Sequence, residues 1–305
     1  MVADQWTVRR GTIRLRALTR DARDHRLPRM KSAFIVAACG VAVALGSAAC
    51  SAKSDDASAK AAPLSDEATQ PAAASPESRK EPITGTTLEI ELVKVPGSAD
   101  GSIKPLWVAR TETLWDWQDI CIYKRDQKDG ASGNAAADAC TRPTKPYTAA
   151  DRGFGHGGFP AVSISFDSAK AFCEWLSAKT GRRYRLPTVA ERRHLCARSG
   201  ITADTMKDHA WTFENAKDAT RKAGSLKADA SGLHDLYGNV REWCVAPDGT
   251  GVLMGGGYED KASEITCDTA LPNTEDWNAS DPQFPKSIWW LADGPWAGFR
   301  IVCEE

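Results

Sequence analysis

Asp235-Leu236-Tyr237-Gly238-Asn239-Val240-Arg241-Glu242-Trp243 is the stretch on which the reading of this chain turns. Two carboxylates bracket a Gly-Asn pair, and Gly238 lets the backbone turn so that a carbonyl can point inward. Beyond Gly200 the chain has little regular periodicity and is rich in Trp and Gly. A long irregular region inside a compact domain needs staples, either disulfides or metal ions. One reading therefore makes Asp235 and Glu242 metal ligands, and the other makes them acceptors of backbone hydrogen bonds and nothing more.

Upstream of that stretch the signals are more regular. Leu88-Glu89-Ile90-Glu91-Leu92-Val93-Lys94-Val95 alternates and predicts a strand, with a second short one at Trp107-Val108-Ala109. Thr113-Leu114-Trp115-Asp116 has the form of a capping box opening a helix through Tyr123. Lys124 to Tyr147 reads as a long polar loop. Ser165 or Asp167 caps the next helix, whose stripe is Ala169, Phe172, Cys173 and Leu176 and which Gly181 ends. Arg183 to Pro187 is a connector, and Thr188-Val189-Ala190-Glu191 is another capping box, opening a helix toward Ala197. No internal repeat is visible.

Several blocks occur in order. They are Pro160-Ala161-Val162-Ser163 leading into Asp167-Ser168-Ala169-Lys170-Ala171-Phe172-Cys173-Glu174-Trp175-Leu176, then Arg185-Leu186-Pro187-Thr188-Val189-Ala190-Glu191, then Gly232 to Trp243, then Val252-Leu253-Met254-Gly255-Gly256-Gly257-Tyr258, then Gly298-Phe299-Arg300. Together they resemble the formylglycine-generating-enzyme, or sulfatase-modifying-factor, domain from about Leu88 onward. The resemblance implies an α+β, loop-rich fold of C-type-lectin-like kind with little regular secondary structure.

The resemblance also implies sites. In active members the segment matching 235–242 binds calcium, which carries over to the side chains of Asp235 and Glu242 and the carbonyls of Gly238 and Val240. Calcium takes six to eight oxygens from carboxylates and carbonyls on such a loop. A second family calcium site uses an Asn–hydrophobic pair and a later aspartate loop. Asn215-Ala216 matches the first half, but Asp218 follows too closely to align, so that site is expected to be altered or missing. The family's two copper(I) cysteines fall two and seven residues past the aromatic of the Gly-rich turn. Here those positions are Asp260 and Ile265. Copper(I) selects soft thiolates, so copper binding and formylglycine generation are not expected. A sulfoxide-forming branch of the fold needs a histidine-rich iron domain, and the five histidines, at 25, 156, 194, 209 and 234, show no such cluster.

The chain has nine cysteines, which suits an oxidising compartment. Carried over from the family, Cys173 pairs with Cys303, although Cys303 stands two residues beyond the family position, and Cys196 pairs with Cys267. Cys121 and Cys140 flank the polar loop and close it locally. Cys244 is left over, as a buried free thiol or in exchange with one of these partners.

The N-terminal part reads as an address. Arg29-Met30-Lys31 precedes an apolar run from Ala33 to Ala49 that ends in Ser47-Ala48-Ala49-Cys50. A basic start, a short apolar core and small residues at the cut make an export signal, and Cys50 directly behind them is the expected lipidation site of a lipoprotein, although Ser47 stands where the usual lipobox has leucine; the alternatives are plain signal cleavage and an uncleaved membrane anchor. Residues 30–50 are that signal, and 1–29 fit poorly before it, as an extension upstream of a start at Met30. Residues 51–85 are Ala-, Ser-, Pro- and charge-rich and read as a disordered tether, with the folded domain over 86–305.

The expected partners are thus a membrane through the lipid anchor and an unknown protein or peptide. The net charge of -1 gives no electrostatic case for nucleic acid. The tryptophan-rich segments 277–283 and 287–293, with Asp281-Pro282-Gln283 as a turn, correspond to the side that shapes the family's peptide groove. Trp289 and Trp290 read either as that surface or as core. Three functions compete. The first is a non-catalytic binding or scaffold module. The second is an enzyme of altered chemistry around Asp260, with Tyr258 and Asp293 as helpers. The third is a calcium-dependent lectin-like binder.

Overall fold

The structure, a computed structural model, describes residues 76–127 and 149–304. The expected extension, the signal, the lipidation site Cys50, most of the tether and Cys140 lie outside those residues. No described helix is long and apolar enough to cross a membrane.

One sheet organises the domain. It contains β1 (Ser78–Pro82), β2 (Glu89–Val95), β3 (Leu106–Ala109), β4 (Tyr184–Arg185) and β9 (Val302–Cys303), in the order β1-β2-β3-β9-β4, antiparallel throughout. Both faces are covered. Ile90, Leu92, Trp107, Ala109 and Cys303 belong to one apolar cluster, while Val93, Val95, Leu106, Val108 and Val302 belong to the other. The strand therefore alternates between two cores rather than between core and water, and the tidy alternation at 88–95 conceals a strand whose Val93 and Val95 are as buried as Ile90 and Leu92.

The first cluster is closed by α1 (Trp115–Tyr123) and α2 (Phe166–Thr180). In α2 the expected stripe of Ala169, Phe172, Cys173 and Leu176 is buried, Ser165 Oγ accepts from Ser168 N at 3.0 Å, and Gly181 ends the helix in the left-handed region. The second cluster receives α3 (Val189–Arg198), whose Thr188–Glu191 capping box forms in both directions. Past it come two single-turn helices, α4 (Met206–His209) and α5 (Phe213–Ala216), then a second sheet. That sheet has the order β7-β6-β5-β8, from β5 (Arg241–Val245), β6 (Gly251–Met254), β7 (Ala270–Pro272) and β8 (Ala297–Gly298).

Three expectations are corrected. The folded part begins before residue 86: β1 pairs along its length with β2, and Ile83 is fully buried in the first cluster. The 51–85 reading weighed composition and gave no weight to a short polar strand that gains its stability from a neighbour. The capping box at Thr113 does not form, because α1 is capped at Leu114 without a side-chain bond. Asp116 instead accepts from the amide of Gly158 at 2.7 Å. Finally, the connector at 183–187 contributes β4, which docks on β9.

Candidate functional site

The 235–242 turn is built by backbone conformations that few residues adopt. Asp235, Gly238 and Asn239 all have positive φ, at 51°, 74° and 53°. At Gly238 a Cβ would lie 2.2 Å from the Trp211 carbonyl oxygen, so only glycine fits. Asn239 then ties three segments together. Its amide group donates to Glu112 Oε1 at 3.0 Å and to the Arg221 carbonyl at 3.2 Å, and its Oδ1 accepts from Arg221 N at 2.8 Å.

Glu242 is wholly buried and faces two guanidinium groups. Its Oε1 accepts from Arg300 Nε at 2.9 Å and pairs ionically with Arg300 Nη2 at 2.7 Å, and its Oε2 lies 3.2 Å from Arg192 Nε. Arg300, also wholly buried, spends its remaining donors on the carbonyls of Ala109, His234 and Asp235 at 2.8, 2.7 and 3.3 Å. Arg192 donates to the Leu236 carbonyl. Asp235 is buried beside this network. One oxygen accepts from Gly224 N at 2.6 Å, and Oδ1 has no hydrogen-bond partner. Oε2 of the buried Glu112 is in the same condition. Burial raises the Asp235 carboxyl to about 6, opposed by the Gly224 bond and Arg300 and assisted by Glu242. Burial, then the Asp235 charge, pushes Glu112 well above the carboxylate range against the pull of Arg300. Gly238 and Val240 lie within the same turn, and Val240 is part of the first core cluster.

The glycine turn follows β6. Gly256 has a φ of 71°, and a Cβ there would overlap Ile265, which packs against it as a buried side chain. Asp260 has both oxygens occupied: Oδ1 accepts from Arg241 Nη2 at 2.6 Å and Oδ2 from Gly257 N at 2.7 Å. The Arg241 guanidinium also lies 4.7 Å above the Trp296 ring. Tyr258 is buried, donates to Glu259 Oε1 at 3.0 Å and is held above its ordinary pKa by burial and the Glu259 charge. Asp293 is on the surface, where Ser280 donates to it through its amide and hydroxyl and lowers its pKa. Each of these three side chains holds local structure.

The sulfatase-modifying factor enzyme 1-like domain family is matched over residues 99–304. The chain belongs to that family. Among solved structures, the Treponema denticola variable protein 1 is similar at 18% identity, with a TM-score of 0.51 over 75% of this chain and 100% of that one. PvdO from Pseudomonas aeruginosa is similar at 21% identity, with a TM-score of 0.47 over 73% and 97% of the two chains. CarF is similar at 18% identity, with a TM-score of 0.42 over 75% and 98%. At that identity the first likeness speaks to fold and to nothing else. No curated protein matches.

Within this family member, Asn215 and Ala216 are also engaged. The Asn215 side chain accepts from Thr212 N at 2.7 Å and donates to the Ala210 carbonyl at 3.0 Å, while the Ala216 carbonyl accepts from Arg221. His234 turns its ring to the Leu226 carbonyl at 2.9 Å, and His194 to that of Pro96 at 2.8 Å.

The cysteines divide. Cys196 and Cys267 are bonded, with their Cα atoms 5.6 Å apart, and join α3 to the segment behind the glycine turn. Cys121 is buried, and its expected partner lies outside the described residues. The Cys173–Cys303 bridge is a correction: both are buried, unbonded thiols. Two residues of extended chain carry Cys303 about 6.6 Å past the family position. There it stands opposite Trp107 and Tyr184, and its sulfur accepts from Arg79 Nη2 at 3.2 Å. Cys244 is a buried free thiol, and burial pushes it up to about 12. Trp290 is core, stacked on Trp115 at 6.3 Å, whereas Trp289 is half-buried.

The sequence reading missed Glu112 and Arg192, and it treated Arg300 as a label only. Glu112 and Arg192 lie far from 235–242 in sequence, and no local spacing links them to it.

Proposed function

We propose that this chain is an exported, lipid-anchored member of the family that works as a non-catalytic binding or scaffold module. One observation carries the reading: the copper positions hold Asp260, with both oxygens bonded, and Ile265, which is packed against Gly256. Neither offers copper(I) a thiolate. The same bonds hold the Asp260 carboxylate in an ion pair with Arg241 and on the turn's own amide, which weighs against altered chemistry at that residue. Export and anchoring rest on the signal-like run ending at Cys50 and on the disulfide between Cys196 and Cys267.

A binding role is supported by the C-terminal aromatic side. A surface cavity of about 520 Å³ there is bordered by Phe166, Asn278, Lys286, Ile288 and Leu291. On the adjoining loop Phe284 is 98% exposed. The test is to titrate copper(I) into the purified, disulfide-intact protein and to offer it a cysteine-containing peptide under oxygen. The expected outcome is no stoichiometric copper uptake and no aldehyde product. One copper bound per chain, or turnover, overturns the proposal.

Calcium belongs to the same proposal as a structural ion. The orphaned, buried Oδ1 of Asp235 is the observation that fits it, because such an oxygen is what calcium coordinates. Asp235, with the Gly238 and Val240 carbonyls, would hold the ion. Glu242, whose oxygens face Arg300 and Arg192, would join the ion by giving up the Arg192 contact. Saturating calcium at a hundredfold excess over Kd would raise unfolding free energy by about 2.7 kcal/mol, and Asp235→Asn would reduce the gain. An unfolding curve identical with calcium and with chelator refutes the calcium assignment and leaves the binding-module reading standing.

A further inference from the structure

His156 lies in Asp151-Arg152-Gly153-Phe154-Gly155-His156-Gly157-Gly158, where half the residues are glycine and no helix or strand passes. Arg152, Gly153, Gly155 and Gly158 all have positive φ. Such a stretch is costly to order, so its shape depends on side-chain tethers. Arg152 supplies some, donating to Ser163 Oγ at 2.9 Å and to the Leu291 and Ala292 carbonyls at 2.9 and 2.7 Å. Asp116 holds the amide of Gly158.

The Gly158 carbonyl accepts from Ala223 N at 3.0 Å. A further tether is the imidazole. Its Nε2 lies 2.9 Å from Asp119 Oδ2 and its Nδ1 3.3 Å from Asp151 Oδ2. A neutral ring carries one N–H and satisfies one carboxylate, whereas the imidazolium donates to both. Asp119 is nearly buried and also meets Arg125 at 3.3 Å. The ring stacks on Trp115 at 5.1 Å, and two residues before it Phe154 meets Tyr258 edge-on at 5.3 Å.

We infer that His156 is a proton-operated latch. As the imidazolium it pins segment 151–158 to α1 and keeps Phe154 against Tyr258; loss of the proton releases the segment and uncovers the Tyr258 turn. The charged groups around the segment are Asp116, Asp119 and Arg125 on the α1 side, Asp151 and Arg152 within it, Lys222 beside Gly158, and Glu259 next to the Tyr258 that Phe154 meets. Burial opposes the charged ring, but the hydrogen bonds and charge of Asp119, then of Asp151, outweigh it and hold His156 above its ordinary value. A raised histidine stabilises fully below its unfolded pKa of about 6.5. That contribution is lost as pH rises through the higher folded value. The latch is independent of whether any metal binds at the glycine turn.

The full chain serves for the test. Histidine ¹⁵N shifts report the titration, tryptophan emission reports the Trp115 stack, which an imidazolium quenches, and amide exchange corrected for intrinsic rates reports residues 152–158. The expected result is titration above 6.5, emission rising with the same midpoint, and protection of 152–158 falling about fivefold between pH 6 and pH 9. His156→Gln should show the low protection at both pH values, and Asp151→Asn should lower the midpoint. Because Asp151→Asn keeps the Asp119 bond, it serves if the glutamine variant folds poorly. A ring that titrates at or below 6.5, or wild-type protection in His156→Gln at pH 6, overturns the latch.

Discussion

Arg300 makes four hydrogen bonds without any exposure to water, one of them to Glu242, with which it also forms a close ion pair. The guanidinium joins the 235–242 turn to the edge of β3 at Ala109, so one side chain connects the two sheets. Removing it strands the Glu242 carboxylate in a dry interior. Arg300→Met is therefore expected to destabilise the protein by about 3–5 kcal/mol, read as a lower urea midpoint at unchanged slope. Arg300→Lys keeps the charge but loses the fork that reaches a carboxylate and three carbonyls, so it should recover only part of the loss. Full recovery by lysine would show that charge alone matters there.

At the scale of elements, the Cys196–Cys267 bridge ties α3 to a region that has only short helical turns and a three-residue strand. With so little ladder hydrogen bonding, the segment between Gly255 and Cys267 relies on that bridge and on Ile265. Cys267→Ser is expected to cost about 2–5 kcal/mol, with amide exchange rising first between 259 and 269. Uniform loss of protection across the domain would instead place the effect in the unfolded chain. The elements that were legible in sequence are those that carry their own local signal: the alternation at 88–95, the Ser165 cap with its stripe, and the reciprocal Thr188–Glu191 box. The ones that were not legible, β1, β4 and β9, are too short to show a period and exist because a neighbour pairs with them. The site divides in the same way. The family blocks placed Asp235, Glu242 and the substituted copper positions, but not what fills their surroundings. Glu112, Arg192 and the His156 clamp come together only through tertiary folding.

Across the whole molecule, the family signature lies in residues that hold the fold together. The blocks at 232–243 and 298–300 meet at one buried place through the Glu242–Arg300 pair, and Arg192, directly behind the 185–191 block, joins them there. Beside them, Asp260 is ion-paired with Arg241 and Ile265 packs against Gly256. The middle of the first sheet has a further consequence. β9 lies between β3 and β4, so the gap beside the central β3 is filled by residues that are made long after both of the strands they pair with. Until they arrive, β3 and β4 present open edges and the two cores cannot be separated by a finished wall. Folding of such a domain waits for nearly the whole chain and is slow, because distant pairings must close large loops before any contact repays them. A ribosome-bound intermediate lacking Val302 and Cys303 should therefore remain protease-sensitive throughout, rather than accumulate a folded amino-terminal half.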